Sequence, residues 1–200
     1  MNADGTDIRQ ITHGLDASAP VWSQNGSRIA FIQGQGQGLA VMRADGSDRH
    51  VIAHRRAYYE APAWSPDGRA IAYESGPSYE TFAIFTIRPN GTGERQLTQR
   101  AGSPGDPAWS PSGSEIAYAS GDRLWIMNSN GTNPHPVTTC RRPCVGDFEP
   151  AWSPTRNRLV FVRDEAGGGA TRLYVLQLAT HKVQPLTPGI RWAQRPGWRP

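Results

Sequence analysis

Two hundred residues are enough for one hydrophobic core of ordinary size, and 37% hydrophobic against 19% charged residues excludes a disordered chain. The formal charge of +4 comes mostly from scattered arginines, which reads as a solvated surface and excludes a nucleic-acid footprint. No apolar run approaches the length of a membrane-spanning helix, while 22 glycines and 17 prolines imply many short strands joined by tight turns.

In chain order, the first segment, Met1-Asn2-Ala3-Asp4-Gly5-Thr6, is polar and turn-like rather than a secretory leader. It aligns with Met42-Arg43-Ala44-Asp45-Gly46-Ser47 and with Met127-Asn128-Ser129-Asn130-Gly131-Thr132. Met1 therefore stands at the end of a third strand, and Ile8–Thr12 reads as a fourth. Next comes Pro20-Val21-Trp22-Ser23, which returns as Pro62-Ala63-Trp64-Ser65, Pro107-Ala108-Trp109-Ser110, Pro150-Ala151-Trp152-Ser153 and Pro196-Gly197-Trp198. A period of 42–46 residues with several short strands per unit is the signature of a propeller blade.

Each unit carries four predicted strands. Strand a holds the Pro-x-Trp-Ser segment, and a Gly-bearing or Asn-bearing turn follows it. Strand b is short and apolar, as in Ile71-Ala72-Tyr73, and strand c follows a variable loop, as in Leu124-Trp125-Ile126-Met127. Strand d closes the unit, and Pro136 and Pro185 within it suit an outer edge where a missing donor costs little. Between c and d, Asp45-Gly46, Asn90-Gly91 and Asn130-Gly131 supply the positive φ of a tight hairpin. The fourth unit has Ala179-Thr180 there and needs another turn. The predicted fold is an all-β propeller of four-stranded antiparallel blades. Residues 19–60, 61–105, 106–148 and 149–194 form complete blades, flanked by half-blades at 1–18 and 195–200. Such a chain is expected to be a piece of a propeller of about six blades. The alternative is a ring closed by one shared blade, and open blade edges favour self-association.

Trp22, Trp64, Trp109, Trp152 and Trp198 hold one fixed place per unit, so packing between blades is expected rather than ligand stacking. Trp125 and Trp192 fall outside the pattern.

The units built on Pro-Ala-Trp-Ser-Pro-Asp-Gly-Arg-x-Ile-Ala-Tyr, with Asx-Gly-Thr and Arg-Gln-Leu-Thr after them, resemble the TolB-type propeller repeat over nearly the whole chain. The resemblance implies a periplasmic or extracellular module that binds a protein partner, as TolB propellers bind an outer-membrane lipoprotein. Similar propellers also precede the hydrolase domain of prolyl oligopeptidase-like peptidases, so a substrate-gating propeller is the alternative.

The chain lacks the Gly-x-Ser-x-Gly nucleophile motif, a phosphate loop and a dinucleotide fingerprint, and no catalytic residue, cofactor or metal is expected. His50 and His135 hold equivalent places near the start of strand d, an outer, solvated position. Cys140 and Cys144 flank Arg141-Arg142-Pro143; a zinc site needs two more ligands, so a local disulfide is the first reading and free thiols the other. Asp16, Glu60, Asp106 and Glu149 precede strand a and are expected to form a partial acidic ring at the channel mouth. Asp106 and Glu149 are the first candidates for a metal or glycan contact. Arg55, Arg56, Tyr58 and Tyr59 in one d-to-a loop, and Arg141, Arg142, Asp147 and Phe148 in another, give the Arg and aromatic content of a partner-binding face.

Overall fold

The computed structural model describes residues 6, 8–14, 16–34, 38–53, 58–78, 81–165, 170–187 and 193–198. Among the described residues, sixteen strands form four antiparallel sheets, each in chain order. The first blade holds β1 (Ala17–Trp22), β2 (Arg28–Gln33), β3 (Gly38–Arg43) and β4 (His50–Ala53). The second holds β5 (Tyr58–Trp64), β6 (Ile71–Gly76), β7 (Ala83–Ile87) and β8 (Arg95–Gln96). The third holds β9 (Gly105–Trp109), β10 (Glu115–Ser120), β11 (Arg123–Asn128) and β12 (His135–Pro136), and the fourth β13 (Cys144–Trp152), β14 (Arg158–Glu165), β15 (Ala170–Gln177) and β16 (Lys182–Pro185).

Strand alternation makes the core. In β6, Ile71 and Tyr73 face the first blade, where they meet Ile32, Leu39 and Val41, while Ala72 faces Ile116 and Tyr118 of the third blade. β10 repeats this pattern, sending Ala117 and Ala119 toward Leu159 and Phe161 of the fourth blade. Large residues on one face against small ones on the next let the sheets approach closely. Each fully buried Ile, Leu or Phe contributes about 1.5–3 kcal/mol.

The turns explain the repeated polar residues. Ser65 Oγ accepts the Ala70 N–H at 2.9 Å and donates to Asp67 Oδ1 at 2.7 Å, which holds the Asp67 carboxyl below its ordinary range. Ser23, Ser110 and Ser153 repeat the first bond in their own blades. At the c–d turn, Thr92 and Thr132 donate to Asn90 and Asn130 while Gly91 and Gly131 sit at φ 81° and 84°. A side chain at Gly131 would stand 3.0 Å from the Leu97 carbonyl oxygen of the preceding blade. In the fourth blade the turn differs, with His181 at φ 53° and the Thr180 N–H bonded to the Gln177 carbonyl. The Leu-Thr and Val-Thr ends of strand d also recur for a reason. Leu97 N–H donates to the Ile84 carbonyl while Thr98 Oγ1 accepts the Ile84 N–H, and Val137 and Thr138 do the same at Leu124.

Strand a is longer than its proline implied. Tyr58, Tyr59 and Glu60 belong to β5, and Asp147, Phe148 and Glu149 to β13, rather than to loops. The sheets accordingly begin at Ala17, Tyr58, Gly105 and Cys144, ahead of the expected limits at 19, 61, 106 and 149. A bulge carries each strand past its proline. Ala19, Ala61, Asp106, Glu149 and Arg195, each three residues before the repeat Trp and followed by Pro, have φ of 48°, 43°, 52°, 50° and 48°. None is glycine, so each left-handed residue costs about 1–2 kcal/mol that the surrounding sheet must offset.

The tryptophans join the blades through one repeated bond. Trp64 Nε1 donates to the Val21 carbonyl at 3.2 Å, Trp109 to Ala63 at 3.1 Å, Trp152 to Ala108 at 3.0 Å and Trp198 to Ala151 at 3.1 Å. Trp22 departs from the expected packing: it is 59% exposed, because no described blade lies on its side. Trp125, outside the pattern, stacks on Tyr118 and donates to the Ser120 carbonyl. Trp192 lies outside the described residues.

Candidate functional site

The four bulges and the left-handed Arg195 converge on one cavity of about 830 Å³ at the inner edge of the blades. Pro20, Pro62, Pro107, Pro150 and Pro196 wall it, and Glu60, Glu74, Asp106, Phe148, Glu149 and Arg195 supply its chemistry. Of the expected acidic ring, Glu60, Asp106 and Glu149 are therefore brought together, while Asp16 is not among the lining residues.

The ring residues are engaged in a relay. Three of the left-handed residues turn the backbone N–H toward the previous blade, where a carboxylate accepts it. Glu74 Oε1 accepts the Asp106 N–H at 2.6 Å, Asp106 Oδ2 accepts the Glu149 N–H at 3.1 Å, and Glu149 Oε2 accepts the Arg195 N–H. Asp106 and Glu149, expected as first candidates for a metal or glycan, thus each spend an oxygen on the next blade. Where the second blade has Ala61 at the bulge, Glu74 from strand b takes over the acceptor role. Sequence reasoning missed Glu74. The available signal was a lone Glu after the apolar Ile71-Ala72-Tyr73 run, where the other units carry Ile32, Ala119 and Val162.

Burial sets the protonation of this relay. Glu74 is 6% exposed, and desolvation pushes its pKa up to about 8. The Asp106 N–H opposes that shift, and the charges of Asp106 and Glu60 add to it. Asp106 is likewise raised, first by burial and then by Glu149 and Glu60, against the Glu149 N–H.

The other expected site residues separate. Tyr59 is fully buried in the core beside Tyr73, so it leaves the partner-binding face. Its alternation within β5 turns it inward, while Glu60 points to solvent. Tyr58 is half-buried, and Arg55 and Arg56 lie outside the described residues. Arg141 and Arg142 are exposed at the tip of the loop entering β13. Cys140 and Cys144 are joined in a disulfide that closes this loop. Asp147 lies within reach of both sulfurs, but the disulfide occupies the sulfurs and the Asp147 oxygens take a bidentate pair from Arg163 at 2.6 and 2.8 Å. These three residues do not fit a metal. Arg163 also stacks on Phe161 and Tyr174, so loop, strand and core are fastened at one point.

Among the described residues, no histidine or cysteine lines the cavity. His50 and His135 are exposed and bonded to the carbonyls of Asp48 and Asn133 at the opposite end of the blades. Two lining serines are taken up by backbone: Ser103 Oγ accepts the Phe82 N–H, and Ser120 Oγ donates to the Gly102 carbonyl. The cavity offers shape, apolar walls and carboxylates, without a paired nucleophile and base.

All of residues 1–200 match the family model described as the TolB beta propeller domain. The chain belongs to the TolB β-propeller family. It is 33% identical over 167 residues to the Tol-Pal system protein TolB of Anaeromyxobacter dehalogenans (strain 2CP-C), a match covering 76% of this chain and 36% of that protein. The crystal structure of TolB from Acinetobacter baumannii superposes with a TM-score of 0.77 at 15% identity, covering 93% of this chain and 47% of that one. A puromycin-hydrolyzing peptidase of Mycobacterium tuberculosis shares the fold at a TM-score of 0.70 and 16% identity, over 96% of this chain and 32% of the peptidase. This TolB propeller thus spans about a third of the length of its curated relative and under half of the Acinetobacter structure.

Proposed function

We propose that this TolB-family propeller is a non-catalytic binding module of the cell envelope or exterior that takes a protein partner at the mouth of its channel. The observation that carries it is the cavity itself: five repeat prolines wall it, three of its carboxylates are held by backbone N–H groups, exposed Glu60 and half-buried Phe148 line it, and Arg141 and Arg142 are exposed at the tip of the loop that enters β13. A preformed concave surface with a polar rim and an aromatic at its edge suits docking. The Tol-Pal system named for its Anaeromyxobacter relative supports a partner of that system, and the outer-membrane lipoprotein that the family resemblance implies is the partner to test. The closed Cys140–Cys144 bond accords with an oxidising compartment.

Calorimetry of the purified chain with the soluble domain of such a lipoprotein tests this. Saturable binding is expected, weakened at least about tenfold by Glu60→Arg or by Arg141→Glu with Arg142→Glu, in line with the loss of rim charge pairs. Absence of heat, or equal affinity in these variants, removes the mouth as the binding surface. The shared fold of the puromycin-hydrolyzing peptidase keeps a substrate-gating propeller as the second reading. It requires a hydrolase domain in the same reading frame, which genomic sequence decides.

A further inference from the structure

Charge divides unequally between the two ends of the blades. The a–b and c–d turns all lie at one end, the turn face, and the channel mouth lies at the other. On the turn face the first two blades expose Arg28, Arg43, Arg49, Arg69, Arg88 and Arg95, and the fourth adds Arg156, Arg158 and Lys182. Among the described residues, Asp45, Asp48, Asp67, Glu94 and Glu115 oppose them there. At the mouth end the balance reverses among the described residues, where carboxylates outnumber arginines and cluster at the channel through Glu60, Glu74, Asp106 and Glu149. Among the described residues, positive charge is therefore concentrated on the turn face.

Two features set this face apart from an ordinary solvated surface. Arg28 stands directly opposite Arg43 in the β2–β3 register, a like-charge placement that lowers sheet stability. The nearest acid, Asp48, reaches Arg43 at 3.7 Å and leaves the pair net positive. The turns also repeat: in each of the four blades the a–b turn closes with the same backbone bond to the carbonyl of the repeat serine, as in Gly26 to Ser23 and Arg156 to Ser153, so each blade holds its turn in the same conformation.

We propose that the turn face docks on the anionic headgroup surface of a phospholipid membrane, with the channel mouth directed away from the lipid. Exposed cations spread over three blades, in excess of the acids beside them, complement an extended sheet of negative charge. A single-stranded nucleic acid calls for a basic groove with stacking aromatics, and the arginines here form no groove. The proposal is independent of which partner the mouth takes.

Co-sedimentation of the full chain with vesicles tests it. Binding is expected to phosphatidylcholine vesicles containing about a quarter phosphatidylglycerol at low salt, not to pure phosphatidylcholine, and it should vanish at about 0.5 M salt where screening is nearly complete. The triple variant Arg28→Gln, Arg43→Gln, Arg88→Gln should lose about a hundredfold in vesicle affinity, while Arg141→Gln with Arg142→Gln keeps it. An unchanged melting profile of the triple variant shows that its fold is intact. No binding to the anionic vesicles, an equal loss in the mouth variant, or tighter retention on heparin or DNA than on vesicles overturns the proposal.

Discussion

Glu74 is the residue at which burial and function of the wall conflict. Its folded pKa stands near 8 against an ordinary 4.5, so between those values the native state holds a proton that the unfolded chain has lost. Stability therefore falls as pH rises from about 4.5 to about 8 and levels off above, and Asp106, raised for the same reason, adds to the slope with the same sign. Glu74→Gln keeps an oxygen for the Asp106 N–H and never ionises. It is expected to flatten this dependence and to gain on the order of a few kcal/mol over the natural chain at pH 9, as read by urea denaturation at pH 5, 7 and 9. Parallel pH profiles for the two proteins would show that Glu74 is already ionised in the fold. Neither Glu74 nor the bulges were legible in the sequence. The five left-handed residues are two alanines, an aspartate, a glutamate and an arginine, and residue type alone does not mark a strained position. Only the proline after each of them repeats, and a proline reads as the start of a strand rather than as the middle of one.

At the scale of the element, the turns were the most readable part of the chain, because their chemistry admits few residues. Asx-Gly followed by Ser or Thr appears wherever the c–d hairpin needs positive φ and a side chain to hold it, and the one complete unit without it adopts a different turn. What the motif did not disclose is that Gly91 and Gly131 also touch the neighbouring blade. The two demands are separable. Gly26→Ala meets open space and should cost only the left-handed backbone, about 1–2 kcal/mol. Gly131→Ala meets the Leu97 carbonyl oxygen as well and should cost about 1–3 kcal/mol more. Equal losses in thermal denaturation would show that the blades can part at no cost. Strand a was the least readable element for the opposite reason: β5 and β13 extend through Tyr58–Glu60 and Cys144–Glu149, where mixed polar and aromatic residues look like loop, and only the pairing with β6 and β14 draws them into the sheet.

At the scale of the whole molecule, the repeat made the fold plain, and the two cysteines made their bond foreseeable from spacing. The site was half legible: the sequence pointed to the acidic mouth, but Tyr59 looked available for contact when alternation in β5 sends it into the core. The disulfide encloses few residues, so replacing both Cys140 and Cys144 by Ser should lower stability by about 2 kcal/mol and leave the blades folded, which circular dichroism and melting would register. A loss of the whole fold would instead make the fastening of Asp147 and Arg163 depend on the closed loop. The tryptophan bonds have a further consequence. Every one of them runs from a donor in one blade to a carbonyl in the blade before it, so the arc has a head and a tail, like a row of hooks and eyes. Among the described residues, Trp22 is a hook without an eye. Each joint has a hook of its own, so Trp109→Phe should speed amide exchange on both sides of the seam between the second and third blades and leave the other seams as they are, which makes every seam of this repetitive molecule separately addressable.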